Sequence, residues 1–250
     1  MDTRRFEPPM VIDMHAHLHE PGTTKWADQQ GFDRTVIMTN PGQNDESMAF
    51  CKKSGWRFIP FCRLNMEDIS KACDEVREFA EKGFRGVKVQ PMTDRFLPDE
   101  QRMYPLWETI EELELPITAH AGCVKFPEHC VNFADPSGWS QVAVDFPKLT
   151  IVIAHLGGNY TYEALTIAES CENVYLDTAH LHYFCARMLP RVQPIELVER
   201  AVKYAGAKKV LFASEGMTPQ YILDSLDISM EDRKYIFWKN ALRVLGEPDV

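Results

Sequence analysis

Short apolar, often β-branched runs alternate with longer amphipathic stretches from one end of the chain to the other. The runs predict strands at Val11–His15, Thr35–Met38, Phe58–Phe61, Gly86–Val89, Ile117–Ala119, Thr150–Ala154, Val174–Leu176 and Val210–Phe212. Helices are expected between them at Gln43–Ser54, Met66–Glu81, Asp99–Glu114, Tyr160–Cys171, Pro194–Tyr204 and Glu231–Leu245. The second of these carries Ile69, Cys73, Val76 and Phe79–Ala80 at helical spacing, which gives it one apolar stripe to bury.

Eight strands spread over the chain give about 31 residues per strand–helix unit, the size a βα repeat needs. Strands this short and this apolar suit a parallel sheet covered on both faces, and the intervening helices supply its crossovers. The expected fold class is therefore α/β, a single (β/α)8 TIM barrel. Its rival, an open doubly wound sheet, calls for a glycine-rich phosphate turn after the first strand, and Met14 to Glu20 has none. With no Gly/Ser linker or composition step anywhere, residues 1–250 read as one domain.

Composition narrows the function classes. A formal charge of −10 argues against nucleic acid or an anionic membrane as partner, because both reward a basic surface. No run reaches the roughly 18 apolar residues of a membrane span. The nearest, Leu149 to Tyr162, holds a His, two Gly and an Asn. MDTRRFEPPM has charge but no apolar stretch after it, so no signal peptide is expected. Seven cysteines with no CxxC pair read as reduced, buried thiols of a cytoplasmic protein. A small-molecule substrate is the expected partner, with a homo-oligomer left open.

In a barrel of this kind, reactive side chains project from the C-terminal ends of the strands. Four of the eight His fall there. His15 and His17 end the first strand in VIDMHAH, His120 ends the fifth in PITAH, and His155 ends the sixth in TIVIAH. Alternation puts Asp13, His15 and His17 on one face, so both imidazoles of the HxH pair reach one centre. A lone His at a strand end is more commonly a hydrogen-bonded core residue. Four at one rim instead suggest a divalent metal site, which needs about three protein ligands and an open position. His19 and His129 read as surface loop residues. His180 and His182 either line the mouth of the site or belong to a loop.

The segments VIDMHAHLH, GFRGVKVQP, LPITAHAG, TIVIAHLGG, NVYLDTA, VLFASE and WKNALRVLG together resemble the metal-dependent amidohydrolase superfamily. The match is to its amidohydrolase 2 branch, which includes the aminocarboxymuconate-semialdehyde decarboxylase-like enzymes. The resemblance implies His15, His17 and His120 as metal ligands. It implies that His155 either ligates a second metal or acts on water or substrate. The eighth strand of the family ends in an Asp that contacts metal and shuttles protons; here Glu215 stands at that place, one methylene longer. A capping role for Glu215, at a helix beginning near Pro219, is the alternative, although Thr218 is better placed to cap.

Two cations complete the candidate set. Some family members carbamylate a fourth-strand Lys, and Lys88 in GVKVQP occupies that position; with no motif specifying the modification, an ammonium paired with Asp13 or Asp177, or facing an anionic substrate, is favoured. Arg63, just past the third strand, reads either as a clamp for a substrate carboxylate or as a surface ion pair. The expected cofactor is one divalent ion, zinc first and manganese or iron as substitutes, with a mononuclear site favoured over a binuclear one. A water activated by that ion, with Glu215 and His155 as catalytic groups, would hydrolyse an amide, lactone or ester-like bond in a small, acidic molecule. Nonoxidative decarboxylation is the nearest alternative, disfavoured only by the compactness of the chain, and a noncatalytic metal- or ligand-binding barrel is the third reading.

Overall fold

The computed structural model describes residues 10–18, 23–125, 130–215 and 225–248. His19, His129, Thr218 and Pro219 lie outside these residues. Eight strands are present: β1 (Ile12–Ala16), β2 (Arg34–Met38), β3 (Phe58–Arg63), β4 (Val87–Val89), β5 (Ile117–Ala119), β6 (Ile151–Ile153), β7 (Val174–Asp177) and β8 (Val210–Leu211). Each pairs in parallel with its successor, in the order β1 to β8. The seam closes where Met14 N donates to Phe212 O at 3.0 Å and Glu215 N donates to His15 O at 2.8 Å. The eight expected strands are all there, arranged as a TIM barrel.

Burial explains why such short runs hold as strands. Every residue of β1, β3, β4, β5, β6 and β8 is buried, so these segments face protein on both sides. At one point the packing leaves no room for even a methyl group. A Cβ on Gly86, just before β4, would come within 2.4 Å of the Phe61 ring, so only glycine lets β3 and β4 approach as they do. Outside the strands, Trp107 and Trp139 pack with ring centroids 5.2 Å apart, tying two helices to the barrel wall.

Helix boundaries follow capping chemistry more closely than the apolar pattern alone. The helix expected from Met66 begins at Ile69 because the Asp68 carboxylate accepts from Lys71 N, and it ends at Lys82 because Gly83 takes a left-handed φ of 101°. Pro194–Ala205 starts with a reciprocal capping box between Gln193 and Glu196. The stretch expected to be one helix over Asp99–Glu114 divides into a 3-10 turn, Gln101–Met103, and a helix, Tyr104–Glu112. Glu231–Leu245 is helical in three pieces, with a π turn at Tyr235–Lys239 in the middle. Helices at Thr23–Gln30, Pro91–Asp94, Gly138–Asp145 and Leu181–Cys185 are additional to those expected. Two of them are too short to show a period and Thr23–Gln30 is mostly polar, so an apolar stripe could not reveal these three, whereas Gly138–Asp145 does carry one in Trp139, Val142 and Ala143. The seven cysteines are all free; five are buried, whereas Cys130 is exposed and Cys123 partly so, which corrects the expectation that all are buried. Among the described residues no helix is long and apolar enough to cross a membrane.

Candidate metal centre

The C-terminal ends of β1, β5, β6, β7 and β8 converge on one group of side chains. His15 lies within β1 and His17 one residue beyond it, both on the face that alternation assigns. His120 follows β5 directly. His155 does not end a strand: it opens a turn after β6 in which His155, Leu156, Gly157 and Gly158 all have positive φ. That left-handed run turns the ring of His155 back over the barrel. Gly157 and Gly158 make the run affordable, since an added Cβ on Gly157 would meet Ala164 Cβ at 2.5 Å.

Each imidazole has one nitrogen committed to an acceptor. His15 Nδ1 donates to Asp177 Oδ2 at 2.8 Å, and His17 Nδ1 donates to Met38 O at 2.9 Å. His155 Nδ1 donates to Ala179 O at 3.0 Å, and His120 Nε2 donates to Gly122 O at 3.0 Å. A carbonyl only accepts, so the nitrogen facing it carries the ring proton. Burial keeps the rings neutral: His17 is pushed down to about 4, His120 to about 3, and His15 and His155 well below the ordinary imidazole value. The Lys88 charge pushes all four the same way. A neutral ring with one N–H presents a lone pair at its other nitrogen. The lone pairs are therefore on His15 Nε2, His17 Nε2, His120 Nδ1 and His155 Nε2.

Two of these lone pairs oppose each other, with His155 Nε2 and His120 Nδ1 3.1 Å apart and no proton assigned between them. A cation relieves that conflict. Two nitrogens bonded to one ion at about 2.1 Å, at an angle near 100°, stand about 3.2 Å apart. Ligand atoms of His15, His155 and Glu215 also lie within 4.8 Å of one another, so this His-His-Glu group could hold a metal ion. Glu215 emerges after β8 with a positive φ, and its carboxylate approaches His17 Nε2 at 3.7 Å and His155 Nδ1 at 3.6 Å. The donor set, neutral imidazoles with one carboxylate, is the chemistry of a borderline divalent ion.

The tight group differs in membership from the expected ligand set. His155, expected either to ligate a second metal or to act on water or substrate, stands among the closest ligand atoms, while His17 joins through Glu215 and His120 through His155. His180 Nδ1 lies 3.7 Å from Glu215 Oε2, so of the two open assignments for this residue it takes the mouth of the site.

Asp177 is the residue sequence reasoning underrated. Besides His15, it accepts His155 N at 2.7 Å and Ala179 N at 3.0 Å, both on Oδ1. It thus orients β1 and β6 ligands at once, the arrangement in which a carboxylate fixes the tautomer of a ligating His. A signal was present, since Asp177 is a polar residue ending an apolar strand at the same rim as the histidines. Asp13, the other buried acid, is not the partner of Lys88. It accepts from Ser214 Oγ at 2.5 Å and Ser214 N at 2.8 Å, and burial pushes it up to about 7 against those bonds.

Lys88 is 1% exposed, with Nζ 3.4 Å from His15 Nε2. Burial pushes it down to about 8, while the Asp177 and Glu215 charges pull it back up, so the ammonium prevails at neutral pH. Arg63 pairs with Lys88 in the β3–β4 register and is 4% exposed. Its Nη2 donates to Asp94 Oδ1 at 2.6 Å, which makes this an internal ion pair rather than a surface one. Arg63 and Asp94, but not Lys88, line a cavity of about 560 Å³ at the ends of β2 to β4, with Asn44 and Thr93 among its walls.

A parallel barrel with imidazoles and one carboxylate gathered at its C-terminal rim has the architecture of the metal-dependent barrel enzymes. The amidohydrolase family model (Amidohydro_2) matches residues 12–246, and the chain belongs to that family. No curated protein matches by sequence search. Solved structures are similar in fold. An uncharacterized TIM-barrel protein from Bordetella bronchiseptica is 18% identical with a TM-score of 0.79, covering 95% of this chain and 98% of its own. A dihydroxybenzoic acid decarboxylase from Polaromonas, solved with manganese and the inhibitor 2-nitroresorcinol, is 18% identical with a TM-score of 0.73, covering 95% and 97%. A probable 2-pyrone-4,6-dicarboxylic acid hydrolase from Acinetobacter baumannii, with citric acid bound, is 13% identical with a TM-score of 0.69, covering 94% and 99%.

Proposed function

We propose that the chain is a metal-dependent enzyme acting on a small carboxylic acid, and that it removes the carboxylate as CO2 without a redox cofactor. The observation that carries the reading is the convergence of four imidazole lone pairs and Glu215 beside the buried Lys88 cation. His15, His17, His120 and His155 would hold the ion with Glu215, and zinc, manganese and iron all suit that donor set. A divalent ion there supplies Lewis-acid polarisation of substrate oxygens.

The chain's own groups account for the rest. Lys88 neutralises an anionic oxygen of the substrate, and Arg63 orients a second carboxylate from the neighbouring strand. Loss of CO2 breaks the bond between the substrate carbon and its carboxylate and leaves the electron pair on carbon. Glu215 in its acid form delivers the proton that quenches this pair and recovers it from solvent through the mouth beside His180. Similarity to the Polaromonas enzyme supports decarboxylation, and because that similarity runs over 97% of a decarboxylase chain, compactness no longer counts against it.

Hydrolysis of a lactone, amide or ester-like bond is the second reading, favoured by the Acinetobacter likeness. In it Glu215 takes a proton from water and returns it to the leaving group. The test is an assay of metal-loaded protein against hydroxybenzoates and related aromatic acids for CO2 release, run beside a panel of lactones and amides. CO2 release is expected, and lactone or amide turnover alone would transfer the assignment to hydrolysis. Glu215→Gln keeps shape and removes the proton carrier, so turnover should fall about 100- to 10,000-fold with the fold intact. Turnover within a few-fold of wild type would remove Glu215 from the mechanism.

A further inference from the structure

A second cavity, about 530 Å³, opens between helices Thr161–Ser170, Leu181–Cys185 and Pro194–Ala205. None of the candidate metal-centre residues lines it. Phe184 forms the wall between the two. Its ring lies 5.5 Å from that of His155 on one side and borders the cavity on the other. That wall is tightly seated, because a Cβ on Gly122 or Gly158 would come within 2.8 or 2.7 Å of Phe184 Cε1.

The lining has an unusual balance for this protein. Leu165, Val192 and Leu197 are buried side chains that give it an apolar body. Among the described residues that line it, the only formal charges are Arg187 and Arg200, in a chain whose net charge is −10. Arg187 is held rigidly, its guanidinium carbon 3.6 Å above the Tyr183 ring and Nη1 donating to Tyr183 O at 2.9 Å. Its other N–H groups stay available. Arg200 is partly engaged, with Nη2 3.4 Å from Glu196 Oε1. The two guanidiniums, less the Glu196 carboxylate that pairs with Arg200, leave about one positive charge to be matched. A volume within the roughly 300–1,000 Å³ of small-molecule sites, an apolar body and one net cation together specify an apolar monoanion.

We propose that this cavity is a binding site for a small free monocarboxylate with an apolar body, distinct from the metal centre. The apolar part lies against Leu165, Val192 and Leu197, and the carboxylate reaches Arg187 and Arg200 at the rim. The inference stands on the cavity and its charges and does not depend on which reaction the metal centre performs.

Calorimetric titration with 2-naphthoate and octanoate, each beside its neutral alcohol (2-naphthalenemethanol and 1-octanol), tests it. The acids should bind at least about 10-fold more tightly than the alcohols, the size of a charge-assisted hydrogen bond. Arg187→Gln combined with Arg200→Gln should erase that preference while alcohol affinity stays the same. Both positions are at the surface, so folding is not at risk, and circular dichroism checks it. Stripping the protein with a chelator should leave every affinity unchanged. Absence of binding, acids no better than alcohols, or a double variant that keeps the preference would overturn the proposal. Loss of binding on metal removal would overturn it too, by placing the acid on the metal centre. So would binding that fades with rising protein concentration as dimers appear, because the cavity would then be covered by a second copy of the chain.

Discussion

Asp177→Asn isolates what one carboxylate does for the centre. Oδ1 of Asp177 accepts two backbone N–H groups and Oδ2 accepts His15 Nδ1. An amide at this position has one acceptor and one donor and must choose between them. With its NH2 toward the backbone, the N–H groups of His155 and Ala179 lose their acceptor inside the protein, at about 1–3 kcal/mol each. The cheaper arrangement keeps the carbonyl there and turns NH2 toward His15. An amide N–H cannot accept, so the His15 proton moves to Nε2, the nitrogen that would otherwise offer its lone pair to the ion. Loss of such a supporting partner typically weakens metal binding about 10- to 100-fold, or about 1.4–2.7 kcal/mol. Chelator competition with zinc and with manganese measures this directly, and 15N shifts of the metal-free protein report the tautomer. Affinity within about three-fold of wild type, with His15 still protonated at Nδ1, would refute the reasoning.

Arg63→Ala should lower the unfolding free energy by the lower end of about 3–5 kcal/mol, read as a lower urea midpoint, because it strands an Asp94 carboxylate that is only 16% exposed. Adding Asp94→Ala should restore part of the loss, and an unchanged midpoint in the single variant would show that the pair carries no stability. Lys88 is pushed down from 10.5 to about 8 in the fold, so between those values the unfolded chain holds a proton the folded chain has released. Stability of the metal-free protein should therefore rise with pH across that window and level off below it, and Lys88→Met should flatten the profile; an identical slope in the variant would assign it elsewhere. Gly86→Ala should cost about 1–3 kcal/mol by driving a methyl into the Phe61 ring, read by chemical denaturation, with Phe61→Leu recovering part of it; a neutral Gly86→Ala would show that the ring has room to move.

Much of this arrangement could be read from residue order because the barrel turns sequence position into spatial position. His15 and His17 share a face by strand alternation alone, and apolar strands ending in His120 and Asp177 bring those side chains to the same rim. His155 was located correctly at the rim but through the wrong local structure. TIVIAH suggests a strand continuing to the imidazole, whereas β6 stops at Ile153 and the two glycines that follow allow a left-handed turn. The hydrogen-bond partners of the rings were out of reach, since Met38 O, Gly122 O and Ala179 O are backbone groups that any residue type supplies. Arg63 was undecidable for a related reason: whether Asp94 reaches it depends on Pro91–Asp94, a helix of four residues whose period no sequence pattern could reveal.

The seam between β1 and β8 also governs when the centre comes into being. Ser214 bonds to Asp13, and Glu215 N to His15 O, across about 200 residues of chain. Contacts of such long separation form late, after the ends of a long loop have been brought together. During synthesis the HxH pair emerges about 200 residues ahead of its carboxylate partner, which is added only when β8 is complete. A nascent or truncated chain therefore carries isolated imidazoles without the His-His-Glu group, and tight ion capture would be a property of the closed barrel alone. Metal retention would then report on closure: a clipped or misfolded copy would lose the His-His-Glu group together with its seam.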